Sequence, residues 1–348
     1  MNASERCARI PFPRRSTGAM VRALGVAVVV VALVTAVLGT GPAMAAEKVK
    51  FALSWTPTGR DAGFYVALDR GFFKEQGLEV EILKGQGSGD TIKRVSVGTE
   101  EFGFADTATL VVARSRGTRV KAVAMIHDRS LFAVYALRDS GIQKPKDLEG
   151  KRIGSPARSA TRTVFPAFAA INHVDETKVQ WTNMGQEAMV PSLLAGRVDA
   201  ILMFANEFPT LRQAAAKLSK ETVTILYSDY GVDVYSNGLI ATDATIKERA
   251  PLVRRFVTGA MKGVAWAVER PEEAADLFVR HNPAASRPLA LEFWKVAVDH
   301  LMTPTAAKMG IGYMDRAKME ATRDLITKYE KLPTTVPVED LYTNEFLP

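Results

Sequence analysis

The sequence has 348 residues, of which 45 are Lys or Arg, 38 are Asp or Glu and one is Cys, and its mean hydropathy is zero. This length predicts about two folded units, and the balanced composition excludes a disordered chain, a collagen-like repeat and a polytopic membrane protein. The single cysteine excludes a disulfide framework and a cysteine-based zinc site.

The first 45 residues have the three-part pattern of a secretory signal peptide. Five arginines precede an uncharged apolar run of 16 residues, 23–38, and Ala43-Met44-Ala45 then forms the small-x-small pattern of a cleavage site. A spanning helix needs about 20 apolar residues, so cleavage after Ala45 is favoured over an uncleaved anchor. Arg14-Arg15 leaves both the Sec and the twin-arginine export routes open.

Removal of residues 1–45 changes the charge and the thiol content of the chain. It leaves 40 basic and 37 acidic residues, a net charge of +3, and it removes Cys7. A nearly neutral chain does not predict nucleic-acid binding, and a chain without thiols suits an oxidising compartment. The sequence therefore predicts an exported protein of about 300 residues.

Strand-like and helical patterns alternate along the mature chain, which predicts parallel βαβ units with helices on both faces. The first group is strand 48–54, helix 62–69, strand 78–83, helix 91–97, strand 102–105, helix 108–116 and strand 120–125. The second group is strand 152–154, helix 160–171, strand 179–181, helix 186–194 and strand 200–204. The C-terminal helices are 252–268, 271–281, 289–301 and 316–331.

An internal similarity supports two related lobes. Residues 95–104 resemble residues 193–202, because in each a helix stops at a glycine, an acidic residue follows, and a buried strand begins. Glycine adopts the left-handed helix cap without steric cost. Any α/β protein can form such corners, but the recurrence after about 100 residues indicates two similar α/β units.

Several segments resemble one family over essentially the whole mature chain. They are Trp55-Thr-Pro57, Gly63-Phe-Tyr-Val-Ala-Leu68, Gly71-Phe-Phe-Lys-Glu-Gln-Gly-Leu78, Lys144–Gly154, Gly196-Arg-Val-Asp-Ala200 and Tyr342-Thr-Asn-Glu-Phe346. The chain is thereby similar to the periplasmic substrate-binding proteins of ABC importers of the thiamine-pyrimidine, riboflavin and sulfonate type. The Trp-x-Pro and Tyr-Thr-Asn-Glu segments are typical of the pyrimidine branch.

This resemblance implies an α/β fold of the two-lobed periplasmic binding protein type II, each lobe a mostly parallel sheet flanked by helices. The expected first lobe is 46–143 plus 236–348, and the expected second lobe is 144–235, with the ligand in the cleft between them. It further implies a periplasmic monomer without a cofactor, whose partners are a small-molecule ligand and an ABC permease at the inner membrane. Closure over the ligand would follow the hinge mechanism of such receptors.

The resemblance extends to enzymes that make the thiamine pyrimidine by consuming their own histidine and a bound pyridoxal phosphate. Asp61 stands where their reactive histidine falls, and their cysteine-rich run is missing before residues 232–238. The four histidines have no metal-like spacing, and no serine lies in a G-x-S-x-G motif. The resemblance therefore implies a receptor for a planar heterocycle, most simply a thiamine pyrimidine precursor. Two alternatives stay open, namely a receptor for a sulfonate, nitrate or other small anion and, less favoured, a synthase.

Candidate ligand residues of the first lobe lie at strand ends, where open α/β sheets bind ligands. Trp55 ends the first strand and either stacks on a ring or closes a core corner. Asp61 either accepts hydrogen bonds from a ring amino group or caps a helix. The segment Gly85–Asp90 fails the dinucleotide fingerprint, and Ser88 is expected to face the cleft. Asp106 lies in the same layer, with helix capping as its alternative.

The second lobe and its second crossover supply the other candidates. Arg158, Ser159 and Thr161 precede a helix, where they either receive an anionic or polar substituent or form a solvated cap. Asn206 and Glu207 follow a strand and are expected to bind the ring edge. The last two candidates, expected to close over the ring and hydrogen-bond it, are Tyr235 and Asn237.

Overall fold

A computed structural model of the protein describes residues 46–157 and 159–348. The expected signal peptide lies outside these residues, as does Arg158. The described residues form ten strands. They are β1 (Glu47–Ala52), β2 (Leu78–Leu83), β3 (Phe102–Asp106), β4 (Val120–Met125), β5 (Phe132–Leu137), β6 (Arg152–Ser155), β7 (Gln180–Asn183), β8 (Ala200–Phe204), β9 (Thr222–Leu226) and β10 (Asn237–Thr242).

The α-helices of the same residues alternate with these strands and then follow one another toward the C-terminus. They are α1 (Ala62–Asp69), α2 (Phe72–Glu75), α3 (Ser88–Ser96), α4 (Thr107–Ser115), α5 (Ala160–Ile171), α6 (Gln186–Leu194), α7 (Phe208–Ala216), α8 (Asp243–Glu248), α9 (Ala250–Glu269), α10 (Pro271–His281), α11 (Arg287–Leu301), α12 (Pro304–Met309) and α13 (Arg316–Tyr329).

The strands build two sheets of the same topology. The first has the order β2-β1-β3-β10-β4 and the second the order β7-β6-β8-β5-β9. In the first, β1 pairs in parallel with β2 and β3, and β10 is antiparallel to both of its neighbours. In the second, β6 pairs in parallel with β7 and β8, and β5 is antiparallel to β8 and β9. The predicted α/β class with mostly parallel sheets is confirmed.

The reversed strand of each sheet is the one that the chain enters after crossing from the other sheet. The crossings are residues 126–131 and 227–236. The expected boundary after residue 143 is wrong for one element, because it assigns β5 to the first lobe while β5 pairs with β8 and β9. The apolar run of β5 contains no feature that identifies its sheet, so the pairing is set by the tertiary fold.

The two crossings run side by side. The backbone nitrogen of His127 donates to the carbonyl oxygen of Asn237 at 2.9 Å, and the nitrogen of Ser236 donates to the carbonyl oxygen of His127 at 3.1 Å. Ser130 also donates its backbone N–H to the Asp233 carboxylate at 3.2 Å. These bonds tie the two connections into one paired link between the lobes.

The core of the first lobe is aromatic. The Phe256 ring of α9 stacks on the ring of Phe102, with centroids 3.9 Å apart, and contacts Phe51 and Phe73. Helix α9 also lies directly against α1, because a Cβ added at Gly263 would be only 2.4 Å from the Gly63 carbonyl oxygen. This packing fixes α1, and with it the turn from which α1 starts.

Helix α13 packs on α4 of the first lobe and on α5 of the second. The Lys318 ammonium lies 3.1 Å from the Asp128 carboxylate on one crossing and 3.9 Å from the Asp233 carboxylate on the other. One cation near the start of α13 thus interacts with both connections between the lobes.

Candidate ligand-binding cleft

Trp55 lies at the end of β1 and faces the second lobe. It shares a narrow pocket with second-lobe residues Pro156, Ser159, Thr161, Gln186, Met189, Leu202, Met203, Phe204 and Glu207. It also lines an adjoining cavity of about 310 Å³ with residues of both lobes. Only 8% of Trp55 is exposed. The indole is therefore largely buried while it also lines the cleft, and stacking on a ligand ring stays a prediction.

A short 3-10 turn, Gly59–Asp61, brings the next side chains into the cleft. The backbone N–H of Thr58 donates to Asp61 Oδ2 at 3.0 Å, which closes the 3-10 turn. Asp61 also precedes α1, but its side chain accepts no hydrogen bond from that helix. The turn lies against α11, because a Cβ on Gly59 would be 2.0 Å from the Ala290 carbonyl oxygen. Only glycine permits this approach.

Arg60 is a buried cleft residue that the sequence reasoning missed. Its Nη2 donates to Ser54 Oγ at 3.0 Å, and its guanidinium carbon lies 5.3 Å from the centre of the Phe204 ring. Its Nε is 3.6 Å from an Asp61 carboxylate oxygen and its Nη1 is 3.7 Å from one of Glu207. Its position next to the candidate Asp61 was visible in the sequence, but its contact with Glu207 of the other lobe was not.

Asn206 and Glu207 follow β8, and Glu207 lines the pocket that Trp55 faces. Gln186 Nε2 donates to Glu207 Oε1 at 3.0 Å. Burial raises the pKa of Glu207 to about 7; nearby Arg60 opposes this rise, and Asp61 adds to it. Asn206 is 1% exposed, and neither its amide nitrogen nor its amide oxygen has a partner among the described residues.

Ser88, Asp106 and Asn237 meet where β3 and β10 pair. Asp106 lies opposite Asn237 in the register and caps α4 by accepting the Thr109 N–H at 3.2 Å. The expectation that Ser88 faces the cleft from a tight turn is wrong, because α3 begins at Ser88 and the residue is fully buried. The Ser88 hydroxyl accepts the backbone N–H of Asp106 at 3.1 Å. It therefore joins α3 to β3.

Ser159 and Thr161 form a hydroxyl network on the opposite wall. Ser159 caps α5 by accepting the Arg162 N–H at 3.3 Å, and its oxygen lies 3.0 Å from that of Ser155. The Thr161 hydroxyl donates to Ser159 at 3.1 Å. The expected capping role is present, and both residues also line the pocket that Trp55 faces.

Tyr235 is not available to stack on a ligand. Its hydroxyl accepts the backbone N–H of Asp315 at 2.7 Å, its backbone N–H donates to Thr322 Oγ1, and the Lys318 ammonium lies 5.1 Å from its ring centre. The ring is fully buried. The expectation that Tyr235 closes over the ligand is wrong, because the ring is buried and its polar groups bond to Asp315 and Thr322 at α13.

Replacing Tyr235 by phenylalanine tests this placement. The variant loses the bond to Asp315 and is expected to lose about 1 kcal/mol of unfolding free energy, with ligand affinity unchanged. Urea unfolding and titration calorimetry measure the two quantities. A weaker affinity with unchanged stability would instead assign the hydroxyl to the ligand.

Buried polar side-chain atoms without a hydrogen-bond partner concentrate around this cleft. Within the described residues, such atoms belong to Thr58, Arg60, Asp61, Asp106, Thr109, His127, Gln186, Asn206 and Asn237, and outside this layer to Thr327. Burial and the nearby Arg60 and His300 hold the pKa of His127 well below its ordinary value. Buried polar groups are normally paired, so these atoms have hydrogen-bonding capacity that the described residues leave unused.

Asp106 gives a prediction about pH. Burial raises the pKa of its carboxyl from 3.8 to about 7. Its contribution to stability is therefore complete below about pH 3.8 and is lost as the pH rises through about 7. Between pH 5 and 8, the wild type is expected to lose about 2–3 kcal/mol of unfolding free energy through this group. In the Asp106→Asn variant, the side chain still caps α4, and the pH-dependent loss of unfolding free energy through this group is removed.

Urea unfolding of both proteins at several pH values measures this effect. Glu207 contributes a slope of the same sign in both proteins, so the informative quantity is the difference between the two profiles. Parallel profiles would contradict the assignment of Asp106.

Two features are absent from the described residues, a metal-holding cluster and a membrane-spanning helix. In the part of the chain that the structure describes, no three His, Cys, Asp or Glu side chains are grouped so that they can hold a metal ion. Residues 46–157 and 159–348 also contain no helix with the length and apolar composition that a bilayer crossing requires.

Comparison with known proteins identifies the family. A family model described as NMT1/THI5 like matches residues 60–274, more than half of the chain. The chain belongs to this family. The expected resemblance is thereby confirmed, and the match contains the whole second lobe and most of the cleft residues.

Curated relatives of this NMT1/THI5-like protein include two binding proteins and an enzyme. A formylaminopyrimidine-binding protein of Halalkalibacterium halodurans is 26% identical over 304 residues, which cover 86% of this chain and 91% of the relative. Riboflavin-binding protein RibY of Chloroflexus aurantiacus is 27% identical over 314 residues, 87% of this chain and 86% of that protein. A 4-amino-5-hydroxymethyl-2-methylpyrimidine phosphate synthase of Legionella pneumophila is 23% identical over 311 residues, 87% and 93% respectively.

Solved structures confirm the fold of this family member. The alkanesulfonate-binding protein SsuA of Xanthomonas axonopodis pv. citri superposes with a TM-score of 0.67 at 12% identity, covering 87% of this chain and 99% of SsuA. The periplasmic aliphatic sulphonate binding protein SsuA of Escherichia coli gives 0.63 at 13% identity, covering 86% and 99%. The two-lobed periplasmic binding protein fold is therefore shown.

Proposed function

We propose that this protein is the substrate-binding protein of an ABC importer and that its ligand is a small planar heterocycle, an aminopyrimidine of the kind from which thiamine is made. The observation that carries the proposal is the position of Trp55, which faces the polar and apolar wall of the second lobe across the cleft. An indole there can stack on a ring, while the other lobe binds the edge of that ring. The names of the binding-protein relatives support the same ligand class.

Asn206 provides the edge-binding group in this proposal. Its carboxamide has one free acceptor and two free donors, and it is buried beside Glu207. An aminopyrimidine offers a ring nitrogen next to an exocyclic amino group, which a carboxamide can bind with two hydrogen bonds, as it does with adenine in nucleic acids. Glu207 then accepts from a second donor on the ring.

The charges of the cleft disfavour the anion alternative. Arg60 lies within 4 Å of two carboxylates, Asp61 and Glu207, so its charge is already compensated. A sulfonate or nitrate would add a further negative charge beside them. The receptor for small anions stays the second candidate because Arg158, which would dominate it, lies outside the described residues.

Binding without chemical conversion is part of the proposal. Asp61 stands at the position of the synthase histidine, and one of its carboxylate oxygens accepts the backbone N–H of Thr58 in its own turn. Ligand binding would increase the population of the closed form of the protein. A permease at the inner membrane would then recognise this closed form. The signal-peptide pattern supports a periplasmic location, and we propose a monomer because one chain supplies both cleft walls.

The decisive experiment is titration calorimetry of the purified mature protein with 4-amino-5-hydroxymethyl-2-methylpyrimidine, riboflavin and an alkanesulfonate in separate runs. We expect stoichiometric binding of the pyrimidine, which mass spectrometry recovers unchanged after denaturation. Tight binding of the sulfonate without binding of the pyrimidine would contradict the proposal. So would a new pyrimidine product formed when pyridoxal phosphate and iron are added to the protein.

A further inference from the structure

Arg60 has hydrogen-bond donors that the protein does not use. A guanidinium carries five N–H groups, and the Nη2 of Arg60 donates to Ser54 at 3.0 Å. Its Nε and Nη1 are buried, and neither donates to an acceptor among the described residues. The side chain is only 2% exposed. Leaving buried charged donors unpaired is costly, so these atoms need an acceptor.

The nearby carboxylates balance the charge of Arg60 without satisfying its donors. The oxygens of Asp61 and Glu207 lie 3.6 and 3.7 Å from Nε and Nη1, beyond ordinary hydrogen-bond length. The Phe204 ring lies 5.3 Å from the guanidinium carbon. Ser54, two carboxylates and an aromatic ring thus hold the guanidinium plane in place, which is the preorganisation that a recognition group requires.

The turn that carries Arg60 is held in place by contacts of its two neighbours, Gly59 and Asp61. Gly59 packs on the backbone of Ala290, and Asp61 caps the turn through Thr58. Glu207 and Phe204, which flank the guanidinium, both line the pocket that Trp55 faces. The guanidinium of Arg60 therefore contacts two residues that line this pocket.

We propose that Arg60 is a specificity-determining residue that selects ligands with an uncharged oxygen acceptor, a hydroxyl or a carbonyl, on a substituent of the ring. This inference rests on the proposed function. An uncharged oxygen accepts from Nε or Nη1 without adding charge to the cluster. An anionic oxygen meets two carboxylates within 4 Å of the same guanidinium and is selected against.

Two pyrimidines that differ by one oxygen atom test the inference. They are 4-amino-5-hydroxymethyl-2-methylpyrimidine and 4-amino-2,5-dimethylpyrimidine, titrated into the wild type by calorimetry. We expect the hydroxymethyl compound to bind about 10- to 100-fold more tightly, as is typical of a hydrogen bond to a charged group. In Arg60→Met, both compounds should bind with affinities within about twofold of each other.

Two further variants separate recognition from folding. Arg60→Met combined with Asp61→Asn keeps the net charge of the cluster and should show the same lost discrimination, even if Arg60→Met alone is unstable. Trp55→Phe is the matched control, since it should weaken both compounds while preserving their ratio. A 5-carboxylate analogue should bind the wild type more weakly than the hydroxymethyl compound.

The outcomes distinguish the inference from the function on which it rests. Equal wild-type affinities for the two compounds, or a ratio that persists without Arg60, would overturn the inference while the receptor proposal stands. Tighter binding of the carboxylate would overturn it as well, because it would make Arg60 an anion site. If neither pyrimidine binds the wild type, the proposed function itself fails, and this inference with it.

Discussion

Replacing Trp55 by alanine is expected to weaken binding of the pyrimidine ligand by about 5- to 150-fold. Stacking of a base on an aromatic side chain contributes about 1–3 kcal/mol, and Trp55 is the aromatic side chain that the first lobe presents to the second. Trp55→Phe should retain a large part of the affinity because a smaller ring still stacks. Titration calorimetry at one salt concentration measures all three proteins.

The same series separates the two ligand classes. If the ligand is a small anion instead, Arg158→Ala should weaken binding strongly and Trp55→Ala should have little effect. Unchanged affinity in Trp55→Ala, with the fold intact by circular dichroism, would contradict ring stacking.

Replacing Gly59 by alanine should destabilise the protein and disturb ligand binding together. The added Cβ would lie 2.0 Å from the carbonyl oxygen and 2.5 Å from the Cα of Ala290, and neither is the flexible end of a side chain. Either α11 or the Gly59–Asp61 turn must move, at a cost of about 1–3 kcal/mol. Because that turn carries Arg60 and Asp61, affinity for the ligand should fall at least about tenfold, as a misplaced site costs.

Gly185→Ala is the control for stability. Its φ is −72°, and an added Cβ would meet only the end of the Glu187 side chain at 3.3 Å. Because Gly185 is the N-cap of α6, where glycine is favoured over alanine, the variant's unfolding free energy should fall by less than about 1 kcal/mol. If Gly59→Ala is as stable as Gly185→Ala in urea unfolding, the close approach to α11 is not what fixes the turn.

Local patterns predicted most of the elements. Helices α1 and α10 have the predicted bounds, Ala62–Asp69 and Pro271–His281, because each begins or ends at a glycine or proline signal. Strands β5, β9 and β10 were missed, and so was α7, the helix before β9. Strands β5 and β10 each follow a crossing rather than a helix, so strand–helix alternation does not apply to them.

The site was predictable where it depends on strand ends and not where it depends on distant packing. Trp55 and Glu207 follow strands, and the structure brings both into one pocket between the lobes. Arg60 lies 3.7 Å from Glu207 of the other lobe, and Tyr235 is covered by α13. Neither relation leaves a pattern in the local sequence.

The exchange of strands between the lobes has a consequence for the order in which the chain can fold. In the first sheet, β4 pairs only with β10 among the strands of the described residues, and about 110 residues separate the two. During synthesis, β4 therefore has no strand with which to pair until the entire second lobe and β10 have been made. Such long-range pairing slows folding, so nascent chains that end before residue 237 should be the species that chaperones retain.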